Sequence, residues 1–148
     1  MNLENVASIA MVVSVLISTV ALFYTAHQVK QHKNISCAQF WLELEKMFAQ
    51  HDEVHVKLRP GGEWTGNGGP KTGDEWAKVE DYMGLFEHCE LMLRKELIDW
   101  ETFQTIFSYR LRNVVANKTI VEAKLKKERP YWEAFVRLLK RLNIEIPA

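Results

Sequence analysis

The sequence predicts an all-α protein: one N-terminal transmembrane helix that continues into a small cytoplasmic helical bundle. Three observations carry this. Val6 to Ala26 is a run of 21 residues with no charge, no Pro and no Gly. After it, apolar residues recur at helical spacing almost to the C-terminus. Six of the seven glycines and two of the four prolines fall within residues 59–73, which leaves the rest of the chain nearly free of helix breakers. Strand character is confined to Ile144–Ile146, and neither a long heptad array nor an internal repeat is present. A length of 148 residues fits one domain plus what precedes it.

The expected organisation is an extracytoplasmic N-terminus at 1–5, the span at 6–26 and a helical domain at 27–148. As a helix the run covers about 31 Å, enough to cross the hydrocarbon core. A cleaved signal peptide would need a positive start and a shorter apolar stretch, whereas this start carries Glu4 and no base. The serines and threonines at 8, 14, 18, 19 and 25 dilute the hydrophobicity and keep a buried soluble helix as the competing reading. Lys30 and Lys33 flank only the C-terminal side, which places the domain in the cytoplasm, N-out and C-in. In that compartment Cys37 and Cys89 are free thiols, and the sequons at Asn34 and Asn117 are not glycosylated. Ala7, Ala10, Ser14, Ser18 and Ala21 recur at steps of three and four, a small-residue stripe suited to close packing on another membrane helix.

Helical spacing persists from His27 to His51 through Ile35, Ala38, Trp41, Leu42, Leu44 and Phe48. Residues 59–73 read as a flexible loop. Thr72 with Glu75 forms a capping box for a second helix reaching about Lys95, with Trp76, Val79, Met83, Phe86, Leu91 and Leu93 inward. Asp99 caps a third, whose face is Phe103, Ile106, Phe107, Leu111, Val114 and Val115. Asn117 to Lys127 reads as a short fourth helix. Pro130 opens the last, with Trp132, Phe135, Leu138, Leu139 and Leu142 inward. The tryptophans at 41, 76, 100 and 132 fall one per helix, a core pattern rather than a cofactor box.

Formal net charge is zero, which excludes a globally basic nucleic-acid binder, but the charges are segregated. Residues 34–101 hold 14 acids and 7 bases, and residues 102–148 hold 10 bases and 4 acids. The two blocks are expected to face each other within the bundle. Alternatively Lys124, Lys126, Lys127, Arg129, Lys140 and Arg141 face anionic headgroups.

Three motifs invite a chemical reading. His51 and His55 in HDEVH sit at i and i+4, the spacing of two metal ligands, but Asp52 replaces the Glu that a zincin uses as general base. GNGGPKT at 66–72 has Pro70 where a phosphate loop needs Gly, and no strand precedes it. Glu87 borders the apolar face of the second helix, where a carboxylate needs a partner; Arg59, Arg94, Arg110 and Arg112 are available, with Glu87–Arg110 the pair expected. Trp64, an aromatic in a Gly-rich loop, either folds back or offers a contact to a partner.

The segments FWLELEKMF, YMGLFEHCELMLRKELID and YWEAFVRLL, with Phe86-Glu87 followed by Leu97-Ile98-Asp99, resemble a family of uncharacterised bacterial single-pass membrane proteins with a short cytoplasmic helical domain. The resemblance supports the single-pass topology and implies a bacterial source; since that family has no assigned activity, no catalytic residue is carried over from it. The expected role is therefore non-catalytic: contacts with itself or another membrane protein, as a homo-oligomer or a subunit of a membrane complex, without cofactor or nucleic acid. A metal-dependent hydrolase at His51 and His55 and a membrane-surface sensor are the alternatives.

Overall fold

The computed structural model of the chain describes the backbone of residues 3–66 and 68–147, and side chains from Met11 onward apart from residues 12, 13, 15, 16, 33, 34, 67 and 148. The described residues form helices and no strand. They are α1 (Leu3–Gln50), α2 (Asp52–Leu58), α3 (Gly73–Arg94), α4 (Trp100–Ala116), α5 (Lys118–Ile120) running into a π-helical stretch Val121–Lys127, a 3-10 turn Arg129–Trp132, and α6 (Glu133–Arg141). The expected strand character at Ile144–Ile146 yields irregular backbone instead.

The chain divides into two compact units, residues 1–39 and 40–148. The described residues of the first are helical throughout, and among their described side chains Met11, Ile17, Val20, Leu22 and Phe23 lie in the open, 65–74% exposed. Among the described residues no helix is long and apolar enough to cross a membrane. Of the run 6–26, the side chains of residues 6–10, 12, 13, 15 and 16 lie outside those described.

The second unit is a helical bundle in which α3 packs chiefly along α6, while α2 leans on α3 and α4. Its centre is aromatic. The ring of Phe48 lies 4.5 Å from Phe107, 4.9 Å from Phe86 and 5.9 Å from Tyr82, and Phe86 meets Phe135 edge-on at 5.9 Å. Such offset and edge-to-face geometries add to the area these rings remove from water. The faces expected for the later helices are buried, with two corrections: Leu91 and Ile106 are 44% and 37% exposed, and Tyr82, Leu85 and Cys89 take core places on α3. Burial pushes the Cys89 thiol up to about 12, so it stays protonated and unreactive near neutrality.

Local chemistry sets the helix ends. The Thr72 hydroxyl accepts from the Glu75 N–H at 3.2 Å, and the Glu75 carboxylate accepts from the N–H groups of Thr72 at 3.3 Å and Lys71 at 2.7 Å, completing the expected box. Asp99 accepts from Thr102 N–H at 2.7 Å and opens α4 as expected. α3 and α6 both close with a left-handed residue, Glu96 at φ 55° and Asn143 at φ 54°, and Leu97 and Ile144 donate back to the carbonyls of Met92 and Leu139 at 2.9 Å. Pro130 does not open α6; it lies in the 3-10 turn before it, and α6 starts at Glu133. The helix expected to run on to His51 stops at Gln50. His51, at ψ 19°, separates it from α2, whose first turn carries Asp52 and Glu53 and so favours the positive end of the helix dipole.

Candidate functional site

The loop 59–73 is exposed over much of its length, as expected, but is tied to the bundle at Trp64, Gly69 and Pro70. Trp64 folds inward and is 2% exposed, which removes it as a partner contact. Its backbone N–H donates to the Lys57 carbonyl at 2.9 Å, and the Lys57 ammonium stands 4.8 Å from the centre of its ring. Gly62 is required here: a Cβ would lie 2.4 Å from the carbonyl oxygens of Val56 and Lys57. Lys57 also reaches Glu75 at 3.0 Å and Glu63 at 3.7 Å, so α2, the loop and the α3 cap share one cation. The Lys71 N–H and this ammonium together hold the Glu75 carboxyl at about 2.

Asn117 closes the loop from the opposite side. It is 2% exposed, and its amide donates to the carbonyls of Trp64 at 2.7 Å and Gly68 at 3.1 Å, while its oxygen accepts from Ile120 N–H at 2.9 Å and caps α5. One side chain therefore starts a helix and fastens a loop. The sequence marks Asn117 as a sequon and as the start of a short helix, where Asn is a preferred cap, but nothing near it in the chain shows that it also fastens the loop.

Glu87 does find a partner, but not Arg110. Its carboxylate accepts from the N–H of Phe135 at 3.1 Å, in the first turn of α6, where Trp132 supplies no side-chain cap. A helix N-terminus offers unpaired N–H groups, so a carboxylate is as well matched there as beside a guanidinium. Arg110 instead turns to Asp52 at 3.5 Å and the Tyr109 hydroxyl at 3.1 Å, over the face of Phe48. It lines a cleft of about 250 Å³ with Glu45, Asp52 and Tyr109.

Among the described residues no three His, Cys, Asp or Glu side chains gather in a way that could hold an ion, and His51 and His55 are not joined by a third such group. His51 occupies the break between α1 and α2, and the His55 ring meets Tyr109 edge-on at 5.4 Å. The Nδ1 of His55 is buried without a hydrogen-bond partner. Burial first, and the Arg110 charge second, keep this imidazole below its usual pKa. The Tyr82 hydroxyl is buried beside the Arg110 guanidinium, and burial pushes it up to about 12 against the pull of that charge.

Much of the segregated charge is matched inside the bundle. Lys124 on the π-helical stretch bonds Glu80 of α3 at 2.6 Å and Glu128 at 2.8 Å, and Arg137 of α6 approaches Glu90 of α3 at 3.4 Å. Lys126 pairs with Glu122, and the Arg141 guanidinium lies 4.2 Å over the Trp100 ring. These contacts occupy Lys124, Lys126 and Arg141, three of the six residues expected to face lipid. Lys127, Arg129 and Lys140 are exposed and make no ion pair among the described residues. Of the small stripe, Ala7 and Ala10 lie outside the described side chains, whereas Ser14, Ser18 and Ala21 are exposed. No protein-family model, curated protein or solved structure matches this chain.

Proposed function

We propose that the chain is a single-pass membrane protein, anchored by Val6–Ala26 with its helical bundle in the bacterial cytoplasm, that works through contacts with copies of itself or with another membrane protein and carries out no catalysis. The observation that supports this most is the state of the first unit's side chains. Met11, Ile17, Val20, Leu22 and Phe23 point away from any partner in the chain, on more than one side of the helix, a distribution costly in water and favourable in lipid. Two polar side chains of the same stretch are satisfied within the helix and so are compatible with hydrocarbon: the Ser18 hydroxyl donates to the Ser14 carbonyl and the Thr25 hydroxyl to the Ala21 carbonyl, each at 2.9 Å. Ser14, Ser18 and Ala21 are exposed, and with Ala7 and Ala10 they recur in the sequence at the spacing of a small-residue face that suits a second helix.

Alkaline carbonate extraction tests the anchor, and in-membrane crosslinking at native expression level, with mass spectrometry of what co-purifies, tests the contact. Crosslinks between copies that vanish when Ala10, Ser14 and Ser18 are all changed to Leu support self-assembly; a different membrane protein in fixed proportion supports an accessory subunit. A carbonate-soluble chain removes the anchor, and a chain that crosslinks to nothing removes the contact role.

A further inference from the structure

The C-terminal end of the bundle keeps positive charge that nothing inside the bundle neutralises. Arg129 and Lys140 are shared by two adjoining clefts, one of about 500 Å³ that also reaches Val136, Asn143 and Ile146, the other of about 220 Å³. Of the acids closest in sequence, Glu128 is bonded to Lys124 at 2.8 Å, and Glu133, which lines the smaller cleft, is met there by Arg137 at 3.7 Å. Glu145, on the rim of the larger cleft, is the remaining acid. Tyr131, two residues from Arg129 in the 3-10 turn, is 80% exposed, the highest exposure among the large apolar side chains described.

From this arrangement we infer that the cleft between Arg129 and Lys140, flanked by Lys127 and Tyr131, docks the bundle on an anionic phospholipid surface, its cations taking headgroup phosphates. The inference rests on the reading of the chain as bilayer-anchored. Exposed, separate cations suit the diffuse potential of a charged leaflet better than a single soluble anion, which would call for converging buried donors. Tyrosine is the side chain that suits the headgroup layer, with an apolar ring and a polar tip. The ion pairs of Lys124 and Lys126 with Glu80, Glu128 and Glu122 narrow the surface to residues whose charge those acids do not meet.

The test uses the full chain in nanodiscs of phosphatidylcholine alone or with phosphatidylglycerol, and measures lysine acetylation residue by residue. The expected result is protection of Lys127 and Lys140 in anionic discs only, reversed by high salt, with exposed Lys118 unchanged as the control. In the variant Arg129→Gln/Lys140→Gln, protection of Lys127 should fall, about fivefold in binding for each cation removed. Equal labelling in both discs for a carbonate-resistant chain overturns the docking and leaves the anchor standing. Protection by inorganic phosphate in neutral discs to the same degree overturns the lipid assignment in favour of a soluble ligand. If the chain proves carbonate-soluble, the anchor fails, and co-sedimentation of the same full chain decides the surface: wild type pelleting only with anionic vesicles supports it, and no pelleting overturns it.

Discussion

The side-chain amide of Asn117 donates to the carbonyl oxygen of Trp64 across 2.7 Å, joining residues 53 positions apart. With its bonds to Gly68 and Ile120, the amide has both of its ends engaged in a site closed to water. Changing Asn117 to Ala should remove a helix cap and leave loop carbonyls without their donor, a loss of about 3 kcal/mol. Chemical denaturation followed by circular dichroism measures it. A loss below about 1 kcal/mol would mean that the loop is held by Trp64 packing alone.

Glu87 tests whether a carboxylate on one helix starts another. Glu87→Ala should destabilise the bundle by about 1 kcal/mol, and Glu87→Gln by less, because the amide oxygen still accepts from Phe135. The specific readout is hydrogen exchange at the Phe135 amide, which should quicken in the Ala variant. Unchanged exchange there would mean that the contact does no capping.

The left-handed residue that ends α3 is the place to gain stability. Glu96 adopts φ 55° with a side chain that glycine lacks. Glu96→Gly should stabilise the bundle by about 1 kcal/mol, read as a rise in melting temperature. Asn143 closes α6 at a similar angle, but Asn tolerates that region better, so Asn143→Gly should gain less.

These residues also show what the sequence could disclose. Helix starts governed by neighbours in the chain, Thr72 with Glu75 and Asp99 with Thr102, were readable because donor and acceptor lie three residues apart. The inward face of α6 was readable because its apolar period is unbroken. The break at His51 and the short α2 were not, since no Gly or Pro marks them. The place of Glu87 beside an apolar face shows that it needs a partner, but a backbone N–H leaves no trace in residue type, so the sequence points to Arg110 where the bundle uses Phe135. Trp64 lies in a Gly-rich stretch whose closure depends on Asn117, far along the chain, and local composition reads such a stretch as open.

His55 gives the bundle a pH dependence with a defined sign. Its Nδ1 is buried without a partner and its ring faces Tyr109, with Arg110 and Arg59 disfavouring added positive charge and Asp52 partly offsetting them. Its folded pKa therefore lies below the usual 6.5, so the unfolded chain binds the proton more readily than the bundle does. Stability from this group is fully present above about pH 6.5 and is lost as pH falls through the folded value. His55→Phe keeps an aromatic ring against Tyr109 and removes the titration. Denaturation midpoints measured between pH 7.5 and pH 5 should fall for the wild type and fall less for the variant. Parallel curves would show that His55 takes up its proton as easily in the folded bundle as in the unfolded chain, and that its contacts with Tyr109 and Arg110 have no electrostatic consequence.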